Sequence, residues 1–331
     1  MGRRPGENDS MVQGQQILVG KTTLDALCSH YQQKREKRTP LTAEDRLSQE
    51  NHGNKFERSV SLLCWAYNEE DSIQNYLEKA TQLMDTTVED YEIVMIDDGS
   101  TDRTYELAKA FQRKHPRLRI FQNEKNLGVG ISSQRAIQKA SKEFLFWQTI
   151  DWCYDISNLR VFLEYLKMFD IVQGVRRKPV TVRIKLLKPV AAVLRLFGIK
   201  YLTKRSDTIP KAIVSVLNYI LIRFLFRIPL SDFQNVTFYP TKWIQSVKYE
   251  AKSSFSNPEG LMKSYWNGMS IKEVPVNFIP RLKGEARGTK LKSIIDSLKD
   301  IFRLWFRWVV LRKRRLVKRG ETYRLNPSEW E

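Results

Sequence analysis

Cysteine is scarce in this chain of 331 residues. Cys28, Cys64 and Cys153 are odd in number and lack the spacing of a metal site, so the simplest interpretation is three reduced thiols in an intracellular protein. A small secreted scaffold held together by disulfides is therefore not expected. The polar N-terminus also lacks the apolar core of a signal peptide.

Long apolar runs are missing as well. The best stretch, residues 213–230, contains Asn218, Arg223 and Arg227, and such side chains are costly at the centre of a bilayer. We therefore expect no full membrane span. The chain is nevertheless 42% hydrophobic, which is enough to bury a sizeable core, and one large α/β domain with appendages is the expected organisation.

Acidic residues are almost absent from two stretches of the second half, and the net charge of the chain is +19. Residues 176–227 contain thirteen Lys and Arg against one acid, Asp207, and residues 301–319 contain eight against none. Most carboxylates lie in the first half of the chain. This asymmetry predicts a polyanionic partner for the second half, which is an anionic membrane, a nucleic acid or a phosphorylated substrate.

An alternation of apolar strands and amphipathic helices begins near residue 59. The predicted strands are Val60–Ala66, Tyr91–Ile96, Leu118–Gln122, Glu143–Trp147, Asp170–Val175, Val236–Tyr239 and Ile271–Phe278. The predicted helices are Glu69–Met84, Asp102–Lys114, Gly128–Ala140, Glu259–Trp266 and a long C-terminal helix, Leu291–Val317. Units of this length argue for a mostly parallel sheet with helices on both faces.

The most informative segment follows the second strand and contains Asp97, Asp98, Gly99 and Asp102. A buried parallel strand delivers the residues that follow it to the carboxyl edge of an open α/β sheet, where ligands bind. Two adjacent carboxylates with a third acid at a helix start can hold the polar edges of a nucleoside or a hydrated cation. The alternative is a strand, a turn and an Asp helix cap.

Two other strand ends carry candidate ligand groups. Tyr67 can stack on a base and Glu69 can accept hydrogen bonds from its ring N–H groups, although an acidic first helical turn is the alternative. Asp151 follows the fourth strand, where a carboxylate beside a nucleotide diphosphate suits Mg²⁺ or Mn²⁺. Such a metal neutralises the charge that builds on a departing diphosphate. An ordinary turn residue is the alternative for Asp151.

Together these segments resemble family 2 glycosyltransferases, which have a Rossmann-like, nucleotide-sugar-binding fold of the GT-A type. The resemblance covers about residues 59–292 and rests on three stretches, Ala66-Tyr67-Asn68-Glu69-Glu70, Asp97-Asp98-Gly99-Ser100-Thr101-Asp102 and Asn126-Leu127-Gly128-Val129-Gly130. Weaker matches are similar to the polyprenyl-phosphate sugar transferase branch (dolichol-phosphate mannose synthase-like). They are Gly174-Val175-Arg176, Asp232-Phe233-Gln234-Asn235, and Val274-Pro275 with Phe278, Arg281 and Gly284.

The resemblance implies a role for each matching position. The implied donor-binding residues are Ala66, Tyr67, Glu69, Asp97, Asp98, Gly99 and Asp151, with Asp151 also binding the metal. The implied phosphate- or acceptor-binding residues are Arg176, Arg281, Arg287 and Lys290, and the catalytic candidates are Asp151, Asp232 and Arg176. The family usually has Asp-x-Asp at the metal site, whereas Thr149 replaces the first Asp here. Metal binding should therefore be weaker or rest on Asp151 with the diphosphate itself, and an inactive, degenerate transferase is the alternative.

The function that the resemblance implies is inverting transfer of a sugar from a nucleotide-diphosphate sugar to a membrane-associated acceptor, with polyprenyl phosphate as the first choice. A hydroxyl acceptor on a glycan or lipid would instead need a carboxylate to take its proton, and Asp232 and Glu259 are the candidates. Glu259, just after Asn257-Pro258, has capping as its alternative role. A nucleic-acid-binding protein is the competing class, but the acids cluster where a phosphate backbone would be repelled, so no nucleic-acid partner is expected.

Four regions are expected along the chain. Residues 1–57 form a polar tail with one helix near residues 22–34, residues 58–180 form the nucleotide-sugar-binding half, residues 181–290 form the acceptor-side half, and residues 291–331 form a basic amphipathic helix and tail. The stretches 183–227 and 291–319 mix aromatic and aliphatic residues with Lys and Arg, which is typical of helices in a bilayer interface. Core helices with solvated charged faces are the alternative. We expect a cytoplasmic protein, peripheral on the inner face of a membrane and serving cell envelope polysaccharide synthesis.

Overall fold

The computed structural model describes residues 55–176, 209–233, 235–277, 279, 291–313 and 321–324. The strands are β1 Val60–Ala66, β2 Tyr91–Asp97, β3 Leu118–Gln122, β4 Phe144–Trp147, β5 Ile171–Arg176, β6 Thr237–Pro240, β7 Ser270–Val276 and β8 Glu321–Arg324. The helices are α1 Ile73–Thr87, α2 Thr104–Gln112, α3 Val129–Lys139, α4 Leu159–Tyr165, α5 Ile209–Phe226, α6 Thr241–Ser246, α7 Ser256–Trp266 and α8 Leu291–Trp305. The helix predicted near residues 22–34 lies outside the described residues.

The strands form one eight-stranded sheet in the order β3-β2-β1-β4-β6-β5-β7-β8. The neighbours β1, β2, β3 and β4 pair in parallel, and so do β5, β7 and β8. Strand β6 runs antiparallel to both β4 and β5. The predicted mostly parallel α/β sheet is therefore confirmed, with one reversed strand at its centre.

Both faces of the sheet are covered by helices, as predicted. Leu62 and Met95 belong to a core cluster shared with α1, α2 and α4, whereas Leu63 and Ile96 belong to a second cluster shared with α3, α5, α6, α7 and α8. Successive strand residues point to opposite faces, so a strand buried on both faces is a continuous apolar run. Full burial of one such side chain contributes about 1.5–3 kcal/mol, and the two clusters fix the strands whose ends form the site.

Several predicted helix boundaries were wrong. Helix α1 begins at Ile73 rather than Glu69, because residues 67–70 form a loop in which Asn68 has a φ of 52°. Helix α2 begins at Thr104 rather than Asp102, because Asp102 accepts a hydrogen bond from the Thr104 N–H. Helix α6 was not predicted.

The long helix predicted over residues 291–317 was also wrong in length. Helix α8 ends at Trp305, a π-helical turn follows over Phe306–Val310, and residues 311–313 are not helical. The short strand β8 then pairs with β7 in the region that was predicted as a tail.

The two stretches predicted to lie in a bilayer interface pack differently from each other. In the described part of the first, Ile222 and Phe226 are buried in the core, which favours the core-helix alternative there. In the second, one face of α8 is buried through Ile301 and Leu304, while Phe302 on another face is 49% exposed. None of the described helices is long and apolar enough to cross a bilayer.

Trp308 and Phe306 are aromatic neighbours in the π-helical turn with opposite surroundings. Trp308 is buried, lies 5.6 Å from the ring of Trp266 and 5.9 Å from that of Phe226, and donates from Nε1 to Glu250 at 2.9 Å. Phe306 is 51% exposed. The pair provides a test of how α8 is anchored.

Trp308→Ala should lower the free energy of unfolding by about 3–5 kcal/mol, because it empties a packed aromatic site. Phe306→Ala is the matched control and should change it by less than about 0.5 kcal/mol. Urea denaturation followed by far-UV circular dichroism measures both. Equal losses would show that Trp308 does not anchor the helix.

Candidate active site

The loops after β1 and β2 are fastened to each other by backbone-to-side-chain hydrogen bonds. The Asn68 N–H donates to Ser100 Oγ at 2.9 Å, the Thr101 N–H donates to Asn68 Oδ1 at 2.8 Å, and the Glu69 N–H donates to Thr104 Oγ1 at 2.7 Å. Two of the three segments that carry the family resemblance thus form one interlocked rim. This rim holds Tyr67 and Glu69, both half-buried, at the carboxyl edge of the sheet.

Asp102 serves as a cap, the alternative considered for the acidic segment. Its Oδ1 accepts from the Thr104 N–H at 3.0 Å and the Thr104 hydroxyl at 2.5 Å, and its Oδ2 accepts from the Glu70 N–H at 3.2 Å. Burial alone would raise the pKa of Asp102, but the hydrogen bonds from Thr104 outweigh it and hold the pKa below its ordinary value. The charged form is therefore the one that ties α2 to the β1 loop.

Asp97 is fully buried at the end of β2 and keeps one acceptor unused. Its Oδ2 accepts from the Ser100 N–H at 3.2 Å and Gln122 Nε2 at 3.1 Å. Its Oδ1 is buried and has no hydrogen-bond partner among the described residues. Buried polar atoms are nearly always paired, so such an atom calls for an explanation. An acceptor in this position suits a ligand N–H or O–H.

Asp98 points its carboxylate into the protein. Its Oδ1 accepts from Asn123 Nδ2 at 2.8 Å and the Leu127 N–H at 2.9 Å, and its Oδ2 accepts from the Gly128 N–H at 2.9 Å. The side chain is buried. Asp98 therefore holds the loop that leads into α3, and Asn123 is a contributor that the sequence analysis missed. Direct contact of Asp98 with a nucleoside stays a prediction.

Gly99 is required where the two acidic residues end. Its φ is 72°, and a Cβ there would overlap the backbone of Lys125 and Asn126. The loop after β3, which contains Lys125 and Asn126, therefore lies directly on the loop after β2. Gly128 also has a positive φ, 89°, but its Cβ position is open.

Asp151 lies in a tight loop after β4. The Trp152 N–H donates to the Thr149 carbonyl at 2.9 Å, and the Thr149 hydroxyl lies 2.9 Å from Cys153 Sγ. Trp152 has a φ of 50° and packs edge-on against Tyr76 at 5.6 Å. A bulky residue in the left-handed region is strained and persists only where its surroundings hold it. This loop places Asp151, which is half-buried, at the same edge as the β1 loop.

The residues around Asp151 do not form a self-sufficient metal site. Within the described part of the chain, no group of three His, Cys, Asp or Glu side chains is placed to hold a metal ion. The Thr149 hydroxyl is directed to Cys153. Mg²⁺ is commonly held by one or two carboxylates together with substrate phosphates. The donor set therefore fits a metal brought with a diphosphate and held on the protein side by Asp151.

Side chains of two neighbouring strands, β5 and β7, hold the loop that contains Asp232 by hydrogen bonds. Gln173 Nε2 donates to the Asp232 carbonyl at 2.6 Å, and Glu273 accepts from the Ser231 N–H at 2.5 Å and the Ser231 hydroxyl at 2.8 Å. Gln173 and Glu273 are partners in the β5–β7 register. Neither residue was predicted from the sequence, although buried polar residues inside apolar strands were the available signal. The Gly174 N–H bonds to the Val236 carbonyl at 2.8 Å, so this loop runs along the end of β5.

The carboxylate of Glu259 is already hydrogen-bonded to other groups of the protein. It is fully buried, and its carboxylate accepts from the Glu250 N–H at 2.8 Å, the Ala251 N–H at 2.7 Å and Lys263 Nζ at 2.5 Å. Burial raises the pKa of Glu259 above its ordinary value, and the neighbouring Lys263 offsets part of that rise. This arrangement favours a structural role over that of a general base, but not the predicted capping role, since Glu250 and Ala251 precede α7 and that helix has no side-chain cap hydrogen bond.

The remaining candidates divide by location. The Ala66 carbonyl accepts from the Asp98 N–H at 2.8 Å, which joins β1 to β2 at the rim. Arg176 is the last residue of β5. The predicted phosphate-binding residues Arg281, Arg287 and Lys290 lie outside the described residues.

The profile of the family Glycosyl transferase family 2 matches residues 61–227, about half of the chain. The chain belongs to this family. The predicted family and its enzyme class are thus confirmed, whereas the polyprenyl-phosphate branch stays a prediction.

Individual relatives agree with this assignment. Glycosyltransferase AglD of Haloferax volcanii is 22% identical over 267 residues, which are 78% of this chain and 39% of that protein. Cholesterol galactosyltransferase of Borreliella burgdorferi is 29% identical over 107 residues, 32% of this chain and 28% of that protein. The chain thus spans less than two fifths of the length of these curated relatives.

The solved structures that resemble this chain have low sequence identity to it. Mycobacterium tuberculosis glucosyl-3-phosphoglycerate synthase in complex with uridine diphosphate gives a TM-score of 0.49 at 15% identity, covering 82% of this chain and 85% of that one. S. aureus TarS in complex with UDP-GlcNAc gives 0.48 at 18% identity, covering 75% and 65%.

Gly99→Ala should lower the free energy of unfolding by more than Gly128→Ala does. Both positions have a positive φ, which costs about 1–3 kcal/mol for an ordinary residue, but only at Gly99 does the added Cβ also overlap neighbouring backbone. Denaturant titration of the two variants measures the difference. Equal losses would mean that the close approach of the two loops is not a constraint.

Proposed function

We propose that the chain transfers a sugar, with inversion, from a nucleotide-diphosphate sugar to a membrane-associated acceptor, with polyprenyl phosphate as the favoured acceptor. The observation that carries the proposal is the buried Oδ1 of Asp97, which has no hydrogen-bond partner among the described residues of this family 2 domain. Tyr67 and Glu69 stand in the interlocked neighbouring loop. An N–H of the base or a ribose hydroxyl would satisfy Asp97, and Tyr67 would stack on the base.

The diphosphate belongs next to Asp151 in this proposal. A bound Mg²⁺ or Mn²⁺, held by Asp151 and the diphosphate, would neutralise charge on the departing nucleoside diphosphate. Arg176 at the end of β5 would meet a phosphate of the donor or the acceptor, as would Arg281, Arg287 and Lys290. The packing of Trp152 against Tyr76 and its N–H bond to the Thr149 carbonyl hold the Asp151 loop in one geometry, which favours electrostatic stabilisation without reorganisation.

The chemistry of the acceptor decides whether a base is needed. A phosphate acceptor is anionic near neutral pH and attacks without losing a proton to the enzyme. A hydroxyl acceptor requires a carboxylate, and the structure favours Asp232 over Glu259, since Glu259 is fully engaged by N–H groups and Lys263. The hydrogen bonds from Gln173 to the Asp232 carbonyl and from Ser231 to Glu273 would then hold the Asp232 loop in place.

Helix α8 offers a surface for the membrane that such an acceptor occupies. Opposite its buried face, α8 and the π-helical turn after it expose apolar side chains, namely Ile295, Leu298 and Phe302 in the helix and Phe306, Val310 and Leu311 beyond its end. Lys299, Arg303 and Arg307 flank this stripe and are exposed. Apolar insertion beside cations that meet anionic headgroups is the pattern of interfacial helices. We therefore place the enzyme on the cytoplasmic face of a membrane, in envelope polysaccharide synthesis.

A donor screen tests the reaction. The chain is incubated with polyprenyl phosphate, each common nucleotide sugar and Mn²⁺ or Mg²⁺, and nucleoside diphosphate release is followed. One donor should be consumed, and Asp151→Asn should abolish turnover because it removes the metal-side charge. Asp155→Asn is the matched control, since Asp155 binds Ser157 at 2.7 Å, and it should keep turnover. Near-normal turnover in Asp151→Asn would refute the metal role.

Vesicle flotation tests the membrane surface. The wild type should float with anionic vesicles at low salt and be released as salt rises. Phe302→Ser with Phe306→Ser should abolish flotation, because it removes two inserted rings. Phe224→Ser, which changes a 73% exposed ring on α5, should float normally. Flotation of the double variant at the wild-type level would show that α8 is not the docking surface.

A further inference from the structure

Helix α8 is joined to a turn over residues 252–253 by a single carboxylate. Asp300 Oδ2 accepts from the Lys252 N–H and the Ser253 N–H, each at 3.0 Å. Its Oδ1 accepts from Arg303 at 2.6 Å. Burial alone would raise the pKa of Asp300, but the hydrogen bonds from Arg303 and Ser253 hold it below the ordinary value. The turn is therefore fastened by a charged group.

The 252–253 turn in turn lies directly on the start of α3. A Cβ at Gly130 would overlap the carbonyl oxygens of Lys252 and Ser253. Gln134 Nε2 also donates to the Ala251 carbonyl at 2.8 Å. The turn therefore cannot move closer to α3 without displacing the first turn of that helix.

The start of α3 is the segment that Asp98 holds at the rim. The Leu127 and Gly128 N–H groups donate to the Asp98 carboxylate, and Gly130 follows two residues later. A continuous path of direct contacts thus runs from Asp300 through the turn and Gly130 to the loop beside Asp97 and Asp98. Contiguous packed and hydrogen-bonded groups of this kind can carry coupling between distant positions.

We propose that Asp300 is a positioning residue for the donor site. It fixes the 252–253 turn, the turn fixes the beginning of α3, and the Asn126–Gly128 loop is thereby held in the geometry that Asp98 requires. Asp300 touches no substrate in this assignment and acts through these contacts alone. The proposal rests on the proposed donor site, and it makes helix α8 part of that site as well as of the membrane surface.

The test compares Asp300→Ala with Asp296→Ala, which removes the same charge one turn earlier on the same helix. In the ligand-free protein, hydrogen–deuterium exchange of residues 123–134 should be faster in Asp300→Ala than in the control or the wild type. The dissociation constant of uridine or guanosine diphosphate with Mn²⁺ should rise roughly three- to thirty-fold, and the donor KM should rise more than kcat falls. Asp300→Asn should be intermediate, since its amide oxygen still accepts from both N–H groups.

The outcomes distinguish a failure of the positioning role of Asp300 from a failure of the proposed function. Unchanged exchange and unchanged diphosphate affinity in a folded Asp300→Ala would overturn the positioning role while the wild type still binds. A wild type that binds neither nucleoside diphosphate would refute the proposed function, and the exchange measurement alone would then decide whether Asp300 fixes the loop. If Asp300→Ala does not fold, Asp300→Asn carries the same comparison, and behaviour identical to Asp296→Ala would overturn the proposal.

Discussion

The Asp98 carboxylate is the contact on which the site depends. It accepts hydrogen bonds from Asn123, Leu127 and Gly128, and its own N–H bonds to the Ala66 carbonyl. Through its backbone and its side chain, this single buried residue joins the end of β1, the loop after β2 and the loop after β3. Hydrogen bonds to a charged acceptor are among the stronger ones in proteins. Its immediate neighbour Asp97 has a buried Oδ1 with no hydrogen-bond partner among the described residues.

The order of the sheet explains why the other candidates reach the same edge. Strands β2, β1 and β4 are parallel neighbours, so Asp97, Tyr67 and Asp151 all follow carboxyl ends on one side. The reversed β6 begins at this edge, because it is antiparallel to its neighbours. The Asp232 loop therefore joins the rim from the opposite chain direction. One sheet edge thus collects Asp97, Tyr67, Asp151 and the Asp232 loop, the candidates named from the sequence.

The first half of the fold could be predicted because its signals are local. Apolar runs buried on both faces, followed by acids and glycine, mark β1, β2 and β4 directly. The start of α1 could not be predicted, since the loop before it is held by hydrogen bonds to residues 33 to 35 positions further along the chain, such as Glu69 to Thr104. The reversal of β6 has no local signature either, because side-chain preference does not encode strand direction.

The different contacts of neighbouring residues at the site could not be predicted from the sequence either. Asp97 and Asp98 are the same residue type in adjacent positions, and only the tertiary contacts show that one binds the protein and the other keeps a buried acceptor. Helix α8 is apolar on more than one face, so its sequence does not tell the core face of Ile301 from the exposed face of Phe302. Gln173 and Glu273 gain meaning only from their register.

The unused acceptor of Asp97 bears on how such a protein evolves. Leaving a polar atom buried without a partner costs about 1–3 kcal/mol. In the proposed function a donor group pairs with this oxygen, so a substitution that removes it would stabilise the fold and weaken donor binding together. Robustness and affinity therefore pull in opposite directions at this position, as expected where a fold keeps strain for its task.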